Sequence, residues 1–90
     1  MKQILYFYLK GCPFCRQANR WMEEVVAENP AYREIPVRRV EERQERDYAA
    51  GFDYYLVPTY YVDGVKVHEG AASKEIVESV YKRAFESVDS

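Results

Sequence analysis

Cysteine and histidine are scarce in this chain: Cys12, Cys15 and His68 are the whole supply. That scarcity excludes a disulfide-stapled scaffold. It also leaves a closed zinc site, which takes four ligands, short of donors within one chain. No segment approaches the roughly 20 consecutive apolar residues of a membrane-spanning helix. The apolar run near the N-terminus is about six residues long and lacks a small-residue cleavage site, so it does not read as a secretory signal. An excess of one charge is missing too: 15 acidic and 13 basic residues are well mixed and leave a net charge of -2. Neither the basic footprint of a nucleic-acid surface nor a membrane-binding face is present in that pattern. The expected setting is cytoplasmic. In a reducing compartment a lone C-x-x-C reads as catalytic, redox-active or metal-binding rather than as a staple, because closing so small a loop constrains little of the unfolded chain.

What is present suffices for one domain spanning residues 1-90. Hydrophobic residues make up 48% of the chain and aromatics 16%, with nine tyrosines among them. Each tyrosine brings a large apolar body and a hydroxyl that needs a partner or water. Gln3 to Leu9 is apolar nearly throughout and predicts a strand buried on both faces, the centre of a sheet. Gly11 follows, placed to allow a tight approach to the next helix. That helix opens with Pro13 at its first position, where a missing N–H costs nothing, and runs to about Glu28. Cys15, Ala18, Met22, Val25 and Val26 fall on one helical stripe, bordered by Trp21. Asn29-Pro30 ends it.

Arg33 to Val40 predicts a second, weaker strand, and Pro36 within it assigns that strand to a sheet edge. Strand, helix and strand in so short a span form a βαβ unit with a parallel, right-handed crossover. Glu41 to Ala50 is charged and helix-favouring, with Gly51 as its C-terminal cap and a Glu42–Arg46 pair at i, i+4. Its charge run reads as a solvated face. Phe52 to Val57 is a loop rich in aromatics. Thr59 to Val62, Asp63-Gly64 and Val65 to His68 then make a hairpin, for Asp-Gly between two β-rich runs is a strong turn signal. Gly70 breaks the second strand. Ser73 caps a final helix whose apolar face is Ile76, Val77, Val80, Tyr81, Ala84 and Phe85. The expected order is β-α-β-α-β-β-α, an α/β fold with a mixed four-stranded sheet flanked by helices.

The chemistry centres on Cys12-Pro13-Phe14-Cys15. Disulfide exchange needs a thiolate, and the start of a helix favours one through its unpaired N–H groups and dipole. Cys12 precedes the first turn and is expected to be exposed, while Cys15 belongs to the inward stripe. Cys12 is therefore expected to be the nucleophile and Cys15 the resolving thiol, with Lys10 and Arg16 adding positive charge nearby. Phe14, between them, is expected to offer an apolar platform to a substrate. Zinc and iron–sulfur sites use C-x-x-C as well, and a metal or iron–sulfur module shared between two chains stays open as the reading from another class. Trp21 and Met22 read as packing residues, and His68 as a surface residue of an edge strand. Tyr54 and Tyr55 read either as packing or as the lining of a groove.

Taken together, the apolar strand, Gly11-Cys12-Pro13-Phe14-Cys15, the long helix, Val57-Pro58-Thr59 and Asp63-Gly64 resemble the glutaredoxin and thioredoxin family over nearly the whole chain. The Cys-Pro-aromatic-Cys form looks like a glutaredoxin; thioredoxins carry a Trp before the motif and a buried Asp in the first strand, and neither is here. The resemblance implies a thioredoxin fold and a thiol–disulfide oxidoreductase with no bound cofactor. Its partners would be disulfide-containing proteins or glutathione, recharged by a reductase system, and it would act as a monomer. It implies also that Pro58 is a cis-proline facing the cysteines and that Val57 offers its backbone to an incoming peptide. Two departures stand out. Glutaredoxins that use glutathione usually carry a base three residues before the first cysteine, where this chain has Leu9, with Lys10 one residue nearer. They also carry Gly-Gly and an Asp where this chain has Glu69-Gly70 and Ser73-Lys74. The stretch Gly70 to Lys74 looks more like the thioredoxin segment, which admits a second reading as a thioredoxin-like carrier recharged by a flavoprotein reductase. Gly70 and the backbone near Ser73 are the expected places to hold a substrate carboxylate, glutathione among the co-substrates considered.

Overall fold

The structure, a computed structural model, describes residues 1-86. Four strands form one sheet in the order β2-β1-β3-β4: β1 (Ile4–Tyr8), β2 (Val37–Glu41), β3 (Thr59–Val62) and β4 (Val65–Glu69). The helices are α1 (Pro13–Glu28), α2 (Arg46–Ala49) and α3 (Lys74–Glu86). β1 runs parallel to β2 and antiparallel to β3, so the expected mixed sheet and element order are there.

Strand alternation explains why β1 is apolar at every position. Ile4 and Tyr6 point into one core, with Ala18, Met22 and Val25 of α1, Tyr60 and Val62 of β3, and Val77, Val80, Tyr81 and Ala84 of α3. Leu5 and Phe7 point into the other, with Val40, Tyr61 and Ala49. Successive side chains of a strand face opposite ways, and both faces here are covered. The second face is covered mainly by aromatic residues: Phe7 has the rings of Phe52 and Tyr54 from the loop and Tyr61 from β3 at centroid distances of 5.0, 4.7 and 5.8 Å. The hairpin turns where both Asp63 (φ 52°) and Gly64 (φ 79°) take positive φ, the conformation of a two-residue turn that matches strand twist.

Three expectations need correcting. Pro30 to Glu34 forms a 3-10 turn, so the second strand begins at Val37 instead of Arg33; Pro36 precedes it and offers its C=O to the Ile4 N–H at 2.9 Å. The strand still lies at the sheet edge. The helix expected over Glu41 to Ala50 shrinks to Arg46–Ala49. Glu41 ends β2, and its carboxylate takes the N–H groups of Arg43 (2.6 Å) and Gln44 (3.4 Å), folding the chain into a turn over 42-45 that the helical spacing of its charges did not reveal. Glu42 is thus outside the helix, and Tyr54 Oη donates to it at 3.1 Å. Gly51 caps nothing in a left-handed conformation; the C-cap is Ala50, in right-handed helical geometry.

The remaining ends behave as expected. Asn29 closes α1, its backbone N–H and its side-chain Nδ2 both donating to Val25 C=O at 3.0 Å. Ser73 Oγ accepts the Ile76 N–H at 3.1 Å, an N-cap interaction of about 1 kcal/mol. β4 stops at Glu69, directly before Gly70.

Candidate functional site

Chain direction brings the two cysteines to one end of the sheet. β1 leaves the sheet at Tyr8, and the chain turns through Lys10 and Gly11 into α1. Gly11 has φ 89°, which only glycine adopts without strain; a Cβ there would meet nothing within 4 Å. Its role is the turn itself and not the close approach expected from the sequence. The Glu41 carboxylate holds the turn from β2 by accepting the Lys10 N–H at 3.1 Å. Three backbone donors keep that buried carboxylate below the usual range, the Lys10 N–H most of all.

Cys12 is the N-cap of α1, with φ -78° and ψ 124°, and is half-buried, less open than expected. The first-turn N–H groups face its sulfur without closing an ideal hydrogen bond. They nonetheless hold its thiol below the ordinary value, the Cys15 N–H foremost, with Phe14 N–H, the Cys15 side chain and the Arg16 guanidinium adding to it against desolvation. Arg16 is placed for this by folding back, its Nη1 donating to Gly11 C=O at 3.1 Å. Lys10 is exposed. Cys15, one turn inward, is 1% exposed. Burial pushes its thiol up to about 11; the Leu9 N–H, 3.4 Å from Sγ, opposes this, while Cys12 and Glu42 reinforce it. Both are free thiols. Phe14 is 54% exposed beside them.

The Val57–Pro58 peptide bond is cis, as the resemblance implied. Thr59 pairs with Phe7 in the antiparallel ladder, so Val57 and Pro58 lie at the same sheet end as the turn before Cys12. Pro58 C=O accepts the Gly70 N–H at 2.8 Å, which joins the Gly70–Ser73 segment to the same region. Among the described residues, no hydrogen bond engages the Val57 N–H or C=O.

Two site residues had no signal in the sequence. Glu69 Oε2 accepts the N–H groups of Tyr55 (2.8 Å) and Leu56 (3.0 Å), and its Oε1 pairs with Lys66 Nζ at 2.6 Å. These contacts, Lys66 first, hold its carboxyl down to about 2 and brace the loop before Pro58. Glu41 and Glu69 both looked like surface charges, since a carboxylate's backbone partners far along the chain leave no trace in local spacing. Tyr55, at 91% exposure, is no packing residue, whereas Tyr54 stacks on Phe7. His68 reaches the carbonyls of Gly70 (3.1 Å) and Ala71 (3.0 Å) with Nε2, so Nε2 carries the proton that it donates to them. Among the described residues, no group of three or more His, Cys, Asp or Glu converges to hold a metal ion, and no helix is long and apolar enough to cross a membrane.

No family model matches the chain, and no curated protein matches its sequence. Solved structures do. A mutant thioredoxin from Halobacterium salinarum superposes with a TM-score of 0.70 at 18% identity, covering 98% of this chain and 78% of that one. The oxidised thioredoxin of Plasmodium falciparum gives 0.70 at 16% identity, covering 91% and 79%. Fasciola hepatica thioredoxin gives 0.66 at 24% identity, covering 90% and 79%. At such identities the likeness is one of architecture. The chain is a thioredoxin-fold protein.

Proposed function

We propose that this protein is a thiol–disulfide oxidoreductase of glutaredoxin-like type. In it the Cys12 thiolate attacks a protein disulfide or a glutathione mixed disulfide, and Cys15 resolves the intermediate. The observation that carries the reading is the divergence of the two thiols: Cys12 is held below the ordinary value at a helix start, and Cys15 is buried and raised. A low-pKa thiol attacks readily at neutral pH and also leaves readily. Attack forms a Cys12–substrate disulfide and expels the substrate's other sulfur as a thiolate. Cys15 then attacks Cys12 Sγ, forms the Cys12–Cys15 disulfide, and releases the second substrate thiolate. The unengaged Val57 N–H and C=O suit a short antiparallel pairing with the substrate backbone, and exposed Phe14 offers it apolar surface.

The electron donor divides two readings. The Cys-Pro-Phe-Cys motif favours glutathione. The second reading, a thioredoxin-like carrier recharged by a flavoprotein reductase, is favoured by Leu9 at the position of the expected base. The test is turnover of one disulfide substrate with two reducing systems side by side, glutathione with its reductase and NADPH with thioredoxin reductase. Glutathione-dependent turnover is the expected result. Turnover only with the second system would transfer the protein to the carrier reading. Activity with neither, from fully reduced protein, would overturn both. The cytoplasm, with its reducing thiol pool, is the compartment this chemistry suits.

A further inference from the structure

Alternation along β2 sends successive side chains to opposite faces of the sheet. Arg38 lies on the aromatic face, its guanidinium 4.3 Å from the Tyr48 ring centre. Arg39 lies on the face that α1 covers, its guanidinium 5.8 Å from the Tyr6 ring centre. β2 is an edge strand, so no strand lies beyond Arg39, and a cleft of about 280 Å3 opens there against α1. That volume suits a small molecule, at the lower end of ligand-pocket sizes. Met22, Val26 and Ala27 of α1 give the cleft an apolar wall. Arg33, Arg39 and Glu23 give it charge: two arginines and one glutamate leave it one positive charge. All three are exposed, and among the described residues none of them is in an ion pair, whereas Arg38 pairs with Glu45 and Glu24 with Lys74. Tyr81 of α3 lines the cleft too. It is 2% exposed, its ring stacks on Tyr32 at 5.9 Å, and its hydroxyl has no hydrogen-bond partner among the described residues. Unlike the Tyr60 hydroxyl, that oxygen is not sealed from solvent, and the cleft is where it meets solvent. A hydroxyl so buried gains from an acceptor.

We infer that this cleft is a binding site for a small organic monocarboxylate. Arg39 and Arg33 hold the carboxylate, since a planar guanidinium matches its two oxygens, and the Tyr81 hydroxyl donates to it. The hydrocarbon body of the ligand lies on Met22, Val26 and Ala27. Glu23 sets the charge limit: a monoanion leaves the cleft neutral, while a dianion such as phosphate meets its repulsion. The inference goes beyond the oxidoreductase reading and does not rest on it. Its anchor is nevertheless joined to the active-site helix. Arg39 Nη1 donates to Asn19 Oδ1 at 3.4 Å, Tyr6 Oη donates to the same oxygen at 2.8 Å, and Tyr6 Oη lies 3.4 Å from the Cys15 C=O. A ligand that draws on Arg39 is therefore felt at the Asn19 side chain.

The test titrates the whole chain with sodium benzoate at constant ionic strength, followed by two-dimensional amide NMR. Benzamide serves as the neutral probe of the same shape, and inorganic phosphate as the anion without an apolar body. One saturable set of shifts is expected, on Met22, Val26, Arg39 and the Asn19 side-chain amide. Benzamide and phosphate should bind at least about tenfold more weakly than benzoate. Arg39→Gln should weaken benzoate by about tenfold or more, because a charge-assisted pair is lost. Tyr81→Phe, which keeps the ring on Tyr32, should weaken it by about threefold or more. Glu23→Gln should tighten benzoate and narrow its advantage over phosphate. Absence of saturable shifts overturns the inference, and so does benzamide or phosphate binding as well as benzoate. Unchanged affinity in Arg39→Gln overturns it too, since the shifts would then report another surface. Should Tyr81→Phe fail to fold, the two substitutions at exposed positions decide the matter. None of these outcomes bears on the oxidoreductase reading, which the turnover assay tests by itself.

Discussion

Alkylation of the reduced protein near neutral pH should fall on Cys12 and spare Cys15. The Cys15 thiol is raised from 9.0 to about 11, so its thiolate fraction at pH 7 is about one in ten thousand, against about one in a hundred for an ordinary thiol. Cys12 lies below the ordinary value, which makes its thiolate more than about 100-fold the more abundant. Intrinsic nucleophilicity works the other way. At a Brønsted slope of about 0.4–0.5, the more basic Cys15 thiolate attacks about 6- to 10-fold faster. Ionisation therefore leaves Cys12 ahead by more than about tenfold, and the 1% exposure of Cys15 adds a steric barrier. The assay is brief treatment with substoichiometric iodoacetamide, followed by peptide mass mapping across a pH series. As pH climbs from about 9 toward 11 the preference should shrink, because the Cys15 thiolate gains about tenfold per pH unit while the Cys12 thiolate, whose pKa is the lower, gains less. Equal labelling at pH 7, or preferential labelling of Cys15, refutes the assignment of attacker and resolver. A ratio that does not move with pH refutes ionisation as its cause.

Replacing Arg16 by Gln should raise the Cys12 pKa, read from thiolate absorbance against pH; an unmoved titration would show that the helix start alone sets it. Tyr60 is 0% exposed, and its hydroxyl has no hydrogen-bond partner among the described residues. Tyr60→Phe keeps the ring stacked on Tyr6 at 4.9 Å and relieves that hydroxyl. Stability should rise by about 1 kcal/mol, seen as a gain of about 4–8 °C in Tm for a domain of this size; a loss of similar size would contradict it. Glu69, held down to about 2, is an acid whose folded pKa is depressed. Its stabilising effect is complete above its ordinary value of 4.5 and is lost as pH falls toward 2. Urea titrations should show a shallower acid limb in Glu69→Gln than in the wild type, and parallel limbs would exclude the proposed bracing of the Tyr55-Leu56 loop.

The helical stripe and the strand runs carried most of the architecture. Cys15, Ala18, Met22 and Val25 are buried as their spacing implied, and Asp63-Gly64 turns as that dipeptide does. The misreadings cluster where a long-range partner outweighs local propensity. Glu41 to Glu45 has the composition of a helix, yet the Glu41 carboxylate captures backbone N–H groups on both sides and converts the segment to a turn. Between packing and groove lining the sequence could not choose for Tyr54 and Tyr55, because hydrophobicity says how much a side chain gains by burial, not whether the fold has room for it; Tyr54 packs on Phe7, and both line a cleft.

By itself, then, the sequence determined the chemistry at hand and its order along the chain: two thiols across the first turn of an amphipathic helix, the first at its unpaired N–H groups. Local periodicity and capping suffice for that, since both act over a few residues. Tertiary structure alone decided how unlike the two thiols are and what stands near them. The depth of Cys15, the N–H of Leu9 against its sulfur, and the positions of Glu41, Glu42 and Glu69 all depend on strand pairing across dozens of residues. Desolvation and Coulomb interactions fall with distance in space, and sequence separation does not measure that distance.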